Sequence, residues 1–371
     1  MINKNYLKYL FKSLYPLFIV CGVIGVITLG YFPFLSYNNE YAWSGYSISY
    51  IDQLQGYYII MVLVAIAVPL TIHSRYYSKN SSDIYLSLPM NRKQAYITEN
   101  IFGLIIVIAS TLIGFLAGLA LTGIANLSYY MVESYLEDLM ALPIILIAVV
   151  ISYLMSNYAV SISNSMIEAI MMIIAIFGIC LMLWGILEIF VFIHIELPHY
   201  NLQLKCITFG PGIPGYLFGT FTEWSMTGNY KTGEYKMYGE MLISLLINLA
   251  IWCGFSYLGY RRFLSLKSEH LGTASMELLA GPDGHAAFFG LIYIYVGSIL
   301  FEWSLTDMLA IMALLTASIG YWVSLFVLRR RIAFRKDDLI RFAIAIVGGV
   351  IIGISLRYFL IEKYPVVNSL Q

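Results

Sequence analysis

The sequence has 371 residues, 60% of them hydrophobic and only 11% charged, with a mean hydropathy of +0.80. A soluble domain has about 25% charged residues, so the composition excludes a soluble globular fold and predicts an all-α, polytopic helical bundle in a membrane. Twenty-one basic and 21 acidic residues leave zero net charge, which excludes a globally basic nucleic-acid binder but allows charge to segregate between two faces.

The N-terminal segment MINKNYLKYLFK carries Lys4, Lys8 and Lys12 ahead of an apolar run from Leu14 to Leu35. That run is too long for a signal h-region and has no small-residue cleavage site, so it is expected as a retained first span. A helix crossing a hydrocarbon core of about 30 Å needs roughly 20 apolar residues. Eight further segments fit that template: Gly56 to Ile72, Ile101 to Ala125, Ala141 to Val160, Ile167 to Ile193, Met241 to Tyr260, Ala286 to Phe301, Met308 to Leu328 and Phe342 to Ile361. The seventh is short, because the Gly281-Pro282-Asp283-Gly284 turn before it opposes extension toward the N-terminus.

Lysine and arginine in short loops stay cytoplasmic. With the N-terminus inside, the inner segments hold Lys4, Lys8, Lys12, Arg75, Lys79, Arg92, Lys93, Arg261, Arg262, Lys267, Arg329, Arg330, Arg331, Arg335, Lys336 and Arg341, which is 16 of the 21 basic residues. Eight acidic residues share that side, a balance of +8 against −8 outside, and nine spans then place the C-terminus outside. Tyrosine and tryptophan at span ends, among them Tyr6, Tyr57, Tyr129, Trp303 and Trp322, suit the headgroup region. Three of the four cysteines lie in apolar runs and no CxxC spacing occurs, which argues against a disulfide framework or structural zinc.

The first inner loop, from His73 to Asn100, carries the most information. Ser81 or Ser82 can cap a short helix, Asp83 suits the dipole in its first turn, and Leu88-Pro89 ends it. Tyr85, Leu86 and Leu88 offer apolar contacts between the basic residues Arg75, Lys79, Arg92 and Lys93, and a second helix is expected to run from Asn91 or Arg92 into the third span. Such a surface helix can dock a cytosolic subunit, or it can simply lie in the interface and snorkel its charges.

The run SSDIYLSLPMNRKQAY resembles a signature of ABC-2-type transporter permeases of Gram-positive bacteria, Asp-x-Tyr-x-Ser-Leu-Pro-x-x-Arg, with Asp83, Tyr85, Ser87, Leu88, Pro89 and Arg92 at those positions. The stretch RRFLSLKSEHLGTASM is similar to that family's Arg-x-Ser-Glu-x-x-Gly, with Lys267 in place of arginine before Ser268, Glu269 and Gly272. GYWVSLFVLRRRIAFRKDDLIRF resembles the basic joint before its last span; some relatives continue into a large extracytoplasmic domain, which this chain, ending at Gln371, is expected to lack.

The resemblance implies an export permease in the bacterial plasma membrane, paired with a second permease chain, identical or related, and with ABC ATPase subunits. ATP and Mg would be bound by the partner ATPase, with no cofactor in this chain. Asp83, Tyr85, Leu86, Leu88, Pro89 and Arg92 would couple to the ATPase, and spans one, two and five would line or flank the path. The expected organisation is a core over residues 1–260, with the coupling loop 73–100 and an outer re-entrant-like segment 200–239, then a linker over 261–285 and a transmembrane extension over 286–371.

Other constellations have ordinary readings beside functional ones. Glu168 opens the fifth span, where snorkelling to water is easy; Glu188 and Arg357, in the outer halves of the fifth and ninth spans, form a candidate intramembrane pair. In HIELPH, Pro198 breaks the spacing that would align His194 and His199 for a metal, so a polar helix end is expected. The segment CITFGPGIPGYLFGTFTEW is too apolar for a free loop, and Phe209, Tyr216, Phe218, Phe221 and Trp224 make it either an outer gate or an interface anchor.

The chain has no G-x-x-x-x-G-K-[ST] loop, nucleophile elbow, HExxH or dinucleotide fingerprint, so it is expected to be a transport subunit and not an enzyme. Two alternatives remain open: an ion-coupled secondary transporter, against which a nearly charge-free midplane argues, and a membrane anchor or sensor that moves no substrate.

Overall fold

A computed structural model describes residues 3–35, 50–77, 91–129, 135–179, 234–265, 282–299, 305–329 and 334–363. These residues are almost entirely helical and contain no strand. Hydrocarbon offers no partner to backbone N–H and C=O groups, and a helix satisfies them within the segment. Among the described residues, five helices are long and apolar enough to cross a membrane: Tyr15–Leu35, Ile59–Tyr76, Arg92–Ile124, Ile145–Ile162 and Lys336–Leu356. Two shorter apolar helices are Met166–Ile179 and Ile311–Phe326.

In chain order the elements are α1 (Lys4–Ser13), α2 (Tyr15–Leu35, with a π-turn over Val26–Tyr31), α3 (Tyr50–His73), α4 (Arg92–Tyr129) and α5 (Tyr135–Ile162). They continue with α6 (Met166–Ile179), α7 (Glu234–Ser265), α8 (Pro282–Ile299), α9 (Leu305–Arg329), α10 (Lys336–Ala343) and α11 (Gly349–Lys363), the last two joined by a π-turn over Ile344–Gly348. The chain divides into two compact units, Met1–Ser161 with Ile213–Leu271 and Ile162–Gly212 with Gly272–Gln371. Thus α6, which opens the fifth expected span, falls in the second unit.

The first unit begins with an element absent from the sequence expectation. Before the first span, α1 is a separate amphipathic helix: Asn3 caps it, its side-chain oxygen accepting from the backbone N–H of Asn5 at 3.1 Å and of Tyr6 at 3.2 Å. Tyr6 and Leu10 are buried on one face while Lys4, Lys8 and Lys12 are exposed on another, the pattern of a helix lying in a membrane interface. Pro16 separates α1 from α2, since it has no N–H to continue the ladder and starts a new helix readily.

Between α2 and α4 the backbones come close. A methyl group at Gly25 would strike the carbonyl of Ser110, and one at Gly114 would strike the carbonyl of Gly25; at Gly30 it would meet the Ala117 Cβ at 3.4 Å. Ser110, Gly114 and Gly118 recur every fourth residue on α4, the small-residue stripe that lets helices approach in lipid, where apolar burial gives no drive for association. The π-turn of α2 follows Gly25 directly. Buried hydroxyls along these helices bond back to their own turns, as Ser110 to Val107 O at 3.0 Å and Ser152 to Ala148 O at 2.9 Å, so they need no partner from lipid.

The second unit is organised around aromatic side chains of α8, α9 and α10. Phe289, Tyr293, Tyr321 and Leu325 are buried together, with Trp322 and Phe342 packed against them. The helix α8 starts at Pro282, inside the expected turn and four residues ahead of the expected span, because proline is favoured in the first helical turn, where its missing N–H costs nothing. His285 Nε2 lies 2.8 Å from Ser324 Oγ and 3.2 Å from the Tyr321 carbonyl, and Arg341 Nε is 2.6 Å from Asp283 Oδ1. At the start of α11, a Cβ on Gly349 would lie 2.6 Å from the Tyr293 Cβ.

Replacing Gly114 with leucine should therefore destabilise the first unit by about 1–3 kcal/mol through overpacking against α2. Thermal unfolding in detergent should show the loss, and Gly22→Leu, at a position with open space around it, should show none.

Candidate functional site

Residues 78–90, with Asp83, Tyr85, Leu86, Leu88 and Pro89, lie outside the described residues, and so do Glu188 and the aromatic set Phe209, Tyr216, Phe218, Phe221 and Trp224. Arg357 lies on α11, while its expected partner is outside the described residues. Arg92 is the first residue of α4. The Asn91 side chain accepts from the Lys93 N–H at 3.0 Å and its carbonyl from Gln94 at 2.8 Å, so the helix starts where a local reading of cap chemistry puts it.

What the structure does place is the base of that loop. Its two flanks are tied by a buried carboxylate on α4. Glu99 has no exposed surface, and its Oε1 accepts from the Tyr6 hydroxyl of α1 at 2.5 Å and the Tyr76 hydroxyl at 2.7 Å. The Asn3 N–H adds a bond to Thr98 Oγ1 at 3.2 Å. Burial, reinforced by the Glu99 charge, pushes the Tyr6 phenol well above its usual range, so Tyr6 keeps its proton and stays a donor.

His73 completes this side of the cluster. Its Nδ1 lies 3.1 Å from the Pro69 carbonyl and must be the donor there, which leaves Nε2 of the neutral ring as an acceptor. That Nε2 is 3.9 Å from Glu99 Oε2, and neither atom has a hydrogen-bond partner among the described residues. Two buried acceptors so placed leave room for one shared proton or a bridging water.

Aromatic packing extends the base to α5 and α7. Tyr76 and Tyr96 both meet Phe263 of α7, with ring centroids 5.4 Å and 4.9 Å away. The Tyr96 hydroxyl lies 3.2 Å from Ser161 Oγ and accepts from Asn157 Nδ2 at 3.2 Å, and Tyr77 donates to the Val160 carbonyl at 3.0 Å. The N-terminal helix, the end of α3, the start of α4 and the ends of α5 and α7 thus meet at one end of the unit.

Along the sequence Glu99 is simply one of the acidic residues in the segment from His73 to Asn100. Its signal was available: Ala95, Phe102 and Ile106, all buried, stand at helical spacing around it, so Glu99 interrupts an apolar stripe. Glu168 also differs from expectation. It is buried, not snorkelling: its carboxylate accepts from the Asn164 N–H at 2.8 Å while Ser165 Oγ accepts from the Glu168 N–H at 3.3 Å, a variant of the reciprocal capping box at the start of α6.

Among the described residues, no group of three or more His, Cys, Asp or Glu is arranged to hold a metal ion. The chain matches no protein-family model, no curated protein and no solved structure.

Tyr6→Phe keeps the ring and removes one hydrogen bond to a buried carboxylate, which should cost about 1.5–3 kcal/mol. Limited proteolysis should then cut within α1 faster, whereas Tyr9→Phe, on an exposed ring, should leave the cleavage rate unchanged.

Proposed function

We propose that the chain is the membrane-spanning permease subunit of an ATP-driven exporter of ABC-2 type, moving an amphipathic substrate such as a peptide, lipid or antibiotic across the bacterial plasma membrane. The observation that carries this reading is the sequence run from Ser81 to Arg92, whose last residue opens α4 seven residues before Glu99. A force applied to the loop by an ATPase reaches α1, α3 and α4 together, because Tyr6, Tyr76 and Glu99 share one hydrogen-bonded oxygen.

In this reading the chain has nine spans with the N-terminus inside, works beside a second permease chain, and leaves ATP hydrolysis to two separate subunits. The segment with Phe209, Tyr216, Phe218, Phe221 and Trp224 acts as the outer gate, and Glu188 pairs with Arg357. An ion-coupled carrier would need ionisable groups near the midplane. Among the described residues the buried carboxylates Glu99, Glu168 and Asp338 stand within the first eight residues of their helices, which favours a coupling or capping role over ion passage.

Asp83→Ala, Leu88→Ala and Arg92→Glu should insert normally, hydrolyse ATP when reconstituted with the ATPase subunits, and lose most substrate transport in inverted vesicles. Wild-type transport rates in these variants would sink the coupling role. Retained transport after removal of the ATPase, driven by a proton or sodium gradient, would favour the ion-coupled class, and hydrolysis with no substrate response would favour the anchor.

A further inference from the structure

A second feature of α4 lies on another face of the same helix. Residues Lys93, Tyr96, Ile97, Asn100 and Ile101 recur at helical spacing and form one wall of a cavity of about 370 Å³. Leu154 of α5 and Cys253 and Tyr260 of α7 close the other sides. A volume in this range is enough for a small organic ligand.

Its chemistry is graded along α4. From Lys93 to Ile101 the wall runs about 12 Å along the helix axis. Lys93, in the first turn, is the single charged residue in the lining among the described residues, and no described carboxylate lines it. The lower part is mostly Ile97, Ile101, Leu154 and tyrosine ring, with the uncharged Asn100 and Ser256 beside them. In the chain, Arg92 directly precedes Lys93 on α4, and the exposed Arg261 directly follows Tyr260 on α7. The opening is therefore positive at the Lys93 end and mostly apolar beyond, and Lys93 stands at the start of the membrane-length helix Arg92–Ile124.

We propose that this groove binds an anionic phospholipid of the inner leaflet, with the phosphate at the Lys93 ammonium and an acyl chain along Ile97, Ile101 and Leu154. Charge complementarity selects this occupant: a lipid without net charge gains only the apolar contacts, whereas the lysine at the mouth adds attraction for a headgroup with net negative charge and raises the occupancy of the groove. A basic pocket between helices at a membrane face is a setting in which anionic headgroups are held. The site requires only that the chain is embedded in a bilayer, so it stands apart from the transport reading.

Cys253 makes the site testable, because this lining thiol is free and exposed. In the full chain with Cys21→Ala, Cys180→Ala and Cys206→Ala, an uncharged maleimide should label Cys253 about fivefold more slowly in phosphatidylcholine nanodiscs containing phosphatidylglycerol than in phosphatidylcholine alone, the factor expected for one lysine at an anionic surface. Lys93→Gln should remove that difference, and Lys12→Gln, on α1, should keep it. As a control, Ser265→Cys in a Cys253→Ala background offers an exposed position outside the lining, and its rate should be the same in both bilayers. Equal rates at Cys253 in the two bilayers would overturn the proposal. So would protection that survives Lys93→Gln, or protection shared by Ser265→Cys, which would mark a bulk surface effect.

Discussion

A carboxylate without exposed surface needs hydrogen-bond donors brought to it, and Glu99 draws them from segments far apart in the chain. Tyr6 comes from the amphipathic helix before the first span, and Tyr76 from the turn that follows the second. Leaving such a group without donors in a low-dielectric site costs several kcal/mol, so the three segments are held in one arrangement. The position of α1 and the spacing between the end of α3 and the start of α4 follow from that requirement. Tyr96 continues it toward α5 and α7 through Asn157, Ser161 and Phe263.

The same helix start serves two environments because α4 is longer than a bilayer requires. Its 38 residues extend about 57 Å at the α-helical rise, nearly twice the hydrocarbon thickness. The first two turns can therefore carry Arg92, Lys93 and Glu99 without placing charge at the midplane. On one face Glu99 and Thr98 meet α1 and the end of α3; on another, Lys93 and Ile97 face the groove beside α5 and α7. An occupant of the groove would touch Tyr96, whose hydroxyl belongs to the polar network at the base of the loop, so the two faces share a residue.

Deeper in the first unit the physical problem changes. Lipid tails are as apolar as the side chains they contact, so helices gain by close packing and not by hiding from water. Glycines at 25, 30 and 114 remove the Cβ atoms that would keep α2 and α4 apart. In the second unit, large rings fill the space among α8, α9 and α10, while α8 and α11 approach through glycines: a Cβ on Gly297 would lie 2.9 Å from the Val350 carbonyl oxygen, and one on Gly349 2.9 Å from that of Gly290. Both units thus leave out side chains where helices touch, and the second adds large rings beside them.

Much of this was legible along the chain. Apolar runs, the start of α4 at Asn91 and Arg92, and the clustering of basic residues depend on neighbours within a few turns, so consecutive residues carry the information. The amphipathic α1 was missed because its lysines were read only as a charge mark ahead of a span, and Glu168 was misread because a helix edge looks solvated until its capping partners are seen. By itself the sequence determined a helical chain with several segments apolar enough to cross a membrane and basic residues clustered between them, since hydropathy and charge add residue by residue. Only the tertiary structure decided that Tyr6 and Glu99, 93 positions apart, share a hydrogen bond, and that Lys93 stands at the mouth of an apolar groove. Those meetings depend on which faces of separate helices pack together, and no local pattern specifies that.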